Sequence, residues 1–166
     1  LLKTMKKVIF TQPNGIISIM TPVLTEINPK TGVEFTLQEI IDKDLIPTGI
    51  TTFSIVEDSV IPADRTFRSA WVGNGVGVST ATIVEDMTKA KEIHKDNIRR
   101  KREGKFKELD VEFQKALETG ASTTDIVAKK QALRDAPAAS GITTASNITE
   151  LKAQWDSSIF GDSPYS

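Results

Sequence analysis

At Asp86 the periodicity of this chain changes, and that change constrains the fold more than any single motif. Downstream, Phe106, Leu109, Phe113, Ala116 and Leu117 fall at i, i+3, i+7, i+10 and i+11, one face of an α-helix. Met87, Ala90, His94 and Ile98 continue that face upstream with weaker residues. Before Asp86 the apolar runs are short, rich in β-formers and cut by Pro and Gly. This pattern predicts an α+β fold in three parts. They are a β-rich lobe over residues 1–80 with one short helix, a helical hairpin over 81–137, and a short C-terminal helix with an irregular tail over 138–166.

Local signals place the elements. Lys7–Thr11 and Ile16–Met20 flank Gln12-Pro13-Asn14-Gly15, and Asn-Gly between two apolar runs is a strong hairpin signal. Thr36-Leu37-Gln38-Glu39 is a capping-box pattern opening a helix to about Asp44, broken by Pro47 and Gly49. Thr51–Val56 reads as a third strand and Phe67–Val72 as a fourth, turned by Gly73-Asn74-Gly75-Val76-Gly77. The long helix runs from Asp86 to about Thr119 and stops at Gly120, with a kink or weak point expected at Gly104. A second helix over Thr124–Asp135, ended by Pro137, folds back antiparallel on the first. Asn147 caps a last short helix through Gln154.

A length of 166 residues suits one domain or two small lobes, and an apolar fraction of 39% supports a core of ordinary size only. The absence of cysteine excludes disulfides, thiolate metal sites and cysteine nucleophiles. Met5-Lys6-Lys7 has the charge of a leader, but the apolar run after it ends at Thr11-Gln12-Pro13. The expectation is a soluble cytoplasmic product with no membrane segment, Met5 its natural start and Leu1–Thr4 an extension.

Net charge is −1, so the chain as a whole has no nucleic-acid footprint. Charge is concentrated instead between Lys91 and Lys107, with eight basic residues against three acids around a centre of Arg99, Arg100, Lys101 and Arg102. Such a run is a solvated helix face with pairs such as Glu103–Lys107, a surface for an acidic protein, or a nucleic-acid patch. No aromatic residue interleaves the central charges, which disfavours stacking on single strands.

Candidate chemistry is sparse, and no catalytic, cofactor or metal site is expected. His94, the one histidine, lacks the spacing of a metal motif and has no designated nucleophile or orienting acid. Gly73–Gly77 lacks the Gly-Lys-Ser/Thr of a phosphate loop and the dinucleotide fingerprint, and reads instead as the turn of a Gly-rich hairpin ahead of the helix at Asp86. Asp64 and Asp135 have no calcium-loop pattern around them. Asn147-Ile148-Thr149 matches a glycosylation acceptor but serves more economically as a helix cap.

The richest segment is Ile61-Pro62-Ala63-Asp64-Arg65-Thr66-Phe67-Arg68-Ser69-Ala70-Trp71. Pro62 ends an extended run and Asp64 closes a turn. On a strand, Arg65, Phe67, Ser69 and Trp71 would point one way, Arg68 and Ala70 the other. Either Phe67 and Trp71 anchor a junction, with Asp64 paired to Arg65 or Arg68, or Arg65, Phe67, Arg68 and Trp71 form an exposed patch for a protein partner.

The Asp-Arg-x-Phe-Arg-x-Ala-Trp pattern resembles the tail assembly chaperones and tail-fibre assembly proteins of tailed bacteriophages. In that group it precedes a helical hairpin ending Gln-Ala-Leu-Arg-Asp, found here as Gln131-Ala132-Leu133-Arg134-Asp135. Leu151-Lys152-Ala153-Gln154-Trp155 is similar to the group's C-terminal Glu-Leu-Lys-x-x-Trp. The resemblance covers roughly Ile61 to Pro137, with the opening strand similar only in style. It implies a non-enzymatic protein that binds tail or tail-fibre proteins in the host cytoplasm during assembly. The alternative is a permanent part of the virion tail, such as a tail-fibre or baseplate adaptor. Self-association stays open, and a nucleic-acid-binding module is the remaining reading.

Overall fold

A computed structural model describes residues Lys6–Tyr165. The reading of Met5 as the start and of Leu1–Thr4 as an extension falls outside the described residues, as does Ser166 of the tail. The architecture is α+β, with a small antiparallel sheet followed by helices. Residues up to Glu85 form one compact unit and those from Asp86 onward a second. The boundary lies at Asp86 rather than after residue 80 because β5 (Thr82–Glu85) pairs back onto β4 (Trp71–Asn74). Residues 138–166 belong to the second unit rather than standing apart.

In the first unit β1 (Lys6–Thr11) is the central strand, flanked antiparallel by β2 (Ile17–Met20) and β3 (Ser54–Glu57). The β1–β2 turn has three residues, Pro13-Asn14-Gly15. Gly15 donates to the Gln12 carbonyl at 2.8 Å, and Gln12 donates to the Ile16 carbonyl at 2.9 Å. Gly15 has φ +81°, the left-handed conformation that completes a type I turn with a bulge. Alternation along β1 divides the core. Val8 packs on Ile41 and Leu45 at α1 (Leu37–Asp44), while Ile9, Ile17 and Val56 pack on Trp71, Ala81 and Ile83 of the β4–β5 ribbon. The capping box at α1 forms, with the Glu39 N–H and the Thr36 hydroxyl 3.3 Å apart and the Glu39 carboxylate accepting from the Thr36 N–H at 2.8 Å. Both faces of the sheet are therefore covered.

Three strand expectations change. The third strand starts at Ser54, not Thr51. The fourth begins at Trp71, because Arg68–Ala70 is a turn of 3₁₀ helix. Gly73 and Asn74 lie inside β4 rather than in its turn, and a longer loop leads to β5, the return arm of the Gly-rich hairpin. A Cβ on Gly73 would strike Val76 and come within 2.8 Å of Ile17, so this strand position needs glycine for close approach.

The second unit is organised by α2 (Met87–Thr119), 33 residues long. Asp86 caps it by accepting from the Thr88 and Lys89 N–H groups, and Gly120 ends it at φ +70°. The helix continues through Gly104 without interruption. α3 (Thr124–Asp135) runs back antiparallel: Lys130 pairs with Asp110 at 2.6 Å, and Arg134 lies over the Phe106 ring. Three short helices, α4 (Ser140–Thr144), α5 (Ile148–Lys152) and α6 (Ser157–Phe160), complete the unit, with α5 ending before Gln154. Among the described residues no helix is long and apolar enough to cross a membrane.

The helical stripe is only partly a seam. Leu109 and Ala116 are buried, Phe106 and Phe113 are half-buried, and Leu117 is 55% exposed. A lone second helix covers a narrow sector, and Leu117 lies about 80° round the helix from Leu109. Leu109→Ala should therefore cost about 2–5 kcal/mol, whereas Leu117→Ala should cost under about 1 kcal/mol. Urea unfolding of the two variants measures this, and equal losses would refute the assignment of the seam.

Candidate functional site

The Asp64–Trp71 segment folds as a compact turn. Asp64 Oδ1 accepts from the Thr66 N–H at 3.0 Å, starting the reversal. The Arg65 carbonyl accepts from the Arg68 N–H at 3.1 Å, and the Phe67 carbonyl from the Ala70 N–H at 2.8 Å. That geometry puts Phe67, Ala70 and Trp71, at i, i+3 and i+4, on the inner side, with exposures of 1%, 0% and 2%. Arg65, Thr66, Arg68 and Ser69 are exposed.

The proposed patch of Arg65, Phe67, Arg68 and Trp71 is thus corrected: its two aromatic members are interior, and only the arginines reach the surface. The alternating orientation expected of a strand fails because the chain is helical from Arg68 to Ala70. Trp71 packs with Ile9, Ile17, Val56, Ala81 and Ile83, and the Arg65 guanidinium lies 5.8 Å from its ring centroid. The spacing Phe67-x-x-Ala70-Trp71 was the available signal for a turn.

The other two segments that carry the resemblance follow the same rule. In Gln131–Asp135, Leu133 is buried, while Gln131 donates to Asp135 at 2.9 Å and accepts from Arg134 at 3.3 Å. In Leu151–Trp155, Leu151 is fully buried, and the Trp155 indole donates to the Gly161 carbonyl at 3.0 Å.

The basic run is largely committed to local structure. Arg99 pairs with Asp96 at 2.6 Å, Lys95 with Glu92 at 2.8 Å, and Lys105 with Glu108 at 3.0 Å. Lys91 donates to the Thr143 carbonyl at 2.6 Å. Arg102 reaches the carbonyls of Leu133 and Arg134, both at 3.5 Å, at the C-terminal end of α3. Arg100 donates to Asn97 at 2.5 Å, and Lys101 is exposed. The observed pairs use i,i+3 spacing, where i,i+4 was expected.

His94 is fully buried on α2. Its Nδ1 lies 2.6 Å from the Tyr165 hydroxyl, and the two rings stack at 5.5 Å. Asn97 donates to the Tyr165 oxygen at 3.2 Å. The other ring nitrogen, Nε2, is buried without a hydrogen-bond partner among the described residues. Burial holds the His94 imidazole at about 4, down from 6.5, and pushes the Tyr165 hydroxyl up. Tyr165 lies in the segment expected to be an irregular tail, and nothing in the local pattern tied it to His94. Among the described residues no three His, Asp or Glu side chains gather as a metal site.

No family model, curated protein or solved structure matches this chain.

Two measurements follow from these geometries. Trp71→Ala should lower unfolding stability by about 3–5 kcal/mol, a loss read by urea titration and absent if Trp71 were a surface anchor. For His94, the unfolded chain takes up a proton near pH 6.5, and the folded chain resists until about pH 4. Stability present above pH 6.5 is therefore lost as the pH falls, at up to about 1.4 kcal/mol per pH unit. The capping carboxylates Glu39 and Glu150, held low by the Thr36 and Ser146 N–H groups, add their own losses only below about 4.5. His94→Gln should flatten the slope between pH 6.5 and 4.5. An unchanged slope would show that His94 titrates normally in the fold.

Proposed function

We propose that this is a non-enzymatic, partner-binding protein of a tailed bacteriophage that acts in assembly of the tail or tail fibre. The observation that carries this reading is the signature Asp64-Arg65-x-Phe67-Arg68-x-Ala70-Trp71 followed, in the same order as in the group it resembles, by Gln131–Asp135. Its large apolar members are interior, so the pattern describes a way of folding, and Arg65 and Arg68 are the charged groups it leaves at the surface. Partner binding also accords with a sheet whose two faces are covered while β2 at one edge has no neighbouring strand among the described residues. The burial of His94 against Tyr165 leaves the only imidazole without a catalytic setting.

In this role the protein acts in the host cytoplasm, and the competing role is a permanent component of the virion tail. Nucleic-acid binding through Arg99, Arg100, Lys101 and Arg102 is disfavoured because neighbouring carboxylates and carbonyls occupy much of that charge.

Mass spectrometry of purified virions separates the two roles: a chaperone is missing from mature particles, and an adaptor is present at fixed stoichiometry. Replacing Arg65 and Arg68 together by Ala should reduce co-purification with the products of neighbouring tail genes while lowering stability by only about 0.5–1 kcal/mol, the loss of the Arg65 contact with the Trp71 ring. Full co-purification by the double variant would remove the arginines from the partner surface.

A further inference from the structure

Strand β2 (Ile17–Met20) is an edge whose outer side pairs with nothing among the described residues. The Gln12 N–H bond to Ile16 sets the phase of the β1–β2 ladder. Ser18 and Met20 then bond to β1, while the main-chain N–H and C=O groups of Ile17 and Ile19 point outward. No Asp, Glu, Lys or Arg occurs between Lys7 and Glu26, although a quarter of the chain is charged. The opposite edge differs. On β3, Glu57 pairs with Lys6, and Asp58 follows it with 62% of its side chain exposed. That edge carries the charges that normally block strand addition, and β2 carries none. Ile16 and Val23 beside β2 are 52% and 60% exposed. A groove of about 460 Å³ opens beside the strand, lined by Phe10, Met20, Leu45 and Ile50 together with the polar Thr48 and the charged Asp44 of α1.

We propose that β2 is a self-association edge, pairing antiparallel with β2 of a second copy about a twofold axis at Ser18. An isologous pairing sets the residue on the axis opposite its own copy and its immediate neighbours within a few residues of theirs, so a charge at or beside Ser18 would lie near its like. A heterologous partner imposes no such condition, because it can carry the complementary sign. The neutral run from Val8 to Thr25 leaves no like-charge contact anywhere about such an axis. With Ser18 opposite Ser18 of the second copy, Ile17 faces the other Ile19, and Ile16 faces the other Met20 beside the groove. Every apolar residue meets an apolar one, and the small hydroxyl at the centre permits close approach. The outward N–H and C=O groups of Ile17 and Ile19 are those that the two strands exchange. This inference rests on the first unit alone and stands apart from the identity of any tail partner.

Sedimentation of the intact protein over rising concentration tests it, combined with hydrogen exchange of the Ile17 and Ile19 amides. The expected result is a reversible monomer–dimer equilibrium in which both amides become protected as the dimer forms. Ser18→Lys and Ser18→Glu should each be monomeric with unchanged circular dichroism, and their mixture should dimerise again. Ser18→Ala should still dimerise. A protein that stays monomeric throughout, amides equally exposed at low and high concentration, or charged variants that dimerise like the native chain would each overturn the proposal. Should a charged variant fail to fold, the exchange measurement on the native protein decides alone.

Discussion

The single tight turn from Arg68 to Ala70 determines what is inside the first unit. In a strand, Phe67, Ser69 and Trp71 would share one face and Ala70 would take the other. The 3₁₀ geometry gathers Phe67, Ala70 and Trp71 together and expels Arg65, Arg68 and Ser69. Trp71 then enters β4 already oriented, and β5 closes the ribbon over Ile9, Ile17 and Val56. With α1 holding Val8 on the opposite side, the three-stranded sheet has no free face. What remains open on it is hydrogen-bonding capacity at the edges, a backbone property rather than a side-chain one.

The second unit meets a different constraint, since α2 is long and carries few apolar residues. Its buried positions are Ala90, His94, Ile98, Leu109 and Ala116, a thin seam for 33 residues. Much of the rest is stabilised by polar side chains doing structural work. Lys91 and Arg102 reach main-chain carbonyls, and Lys130 and Arg134 roof the rings of Phe113 and Phe106. The cations that look like a binding patch along the sequence are therefore in part substitutes for missing apolar cover. His94 fits the same economy, filling a core position with a polar ring and relying on Tyr165 to satisfy one nitrogen.

Features written in adjacent residues were legible in the sequence. The caps at Thr36 and Asn147, the stop at Gly120 and the Asn14-Gly15 hairpin are each a side chain or glycine acting on backbone within a few positions. Illegible features depended on distance or on competition. Tyr165 meets His94 across 71 residues, and no local pattern encodes that meeting. β5, the return arm of the Gly-rich hairpin, is a four-residue run whose limits are set only by its pairing with β4. The half-burial of Phe106 and Phe113 depends on how wide a sector α3 can cover. At the candidate site, the exposure of Arg65 and Arg68 follows from a turn that the spacing of Phe67, Ala70 and Trp71 already spelled.

A signature whose large apolar members are all interior constrains the backbone more than it describes a contact surface. Phe67, Trp71, Leu133, Leu151 and Trp155 each fill core, so substitutions among them act first on stability. Recognition must then fall to groups that the same segments leave outside, or to elements the signature does not include. The exposed arginines and the β2 edge impose opposite electrostatic requirements. Arginines reward a partner of opposite charge and would repel their own copies across a twofold axis, whereas a neutral edge tolerates its own copy and offers a charged partner nothing to select. On these grounds the two surfaces suit different occupants.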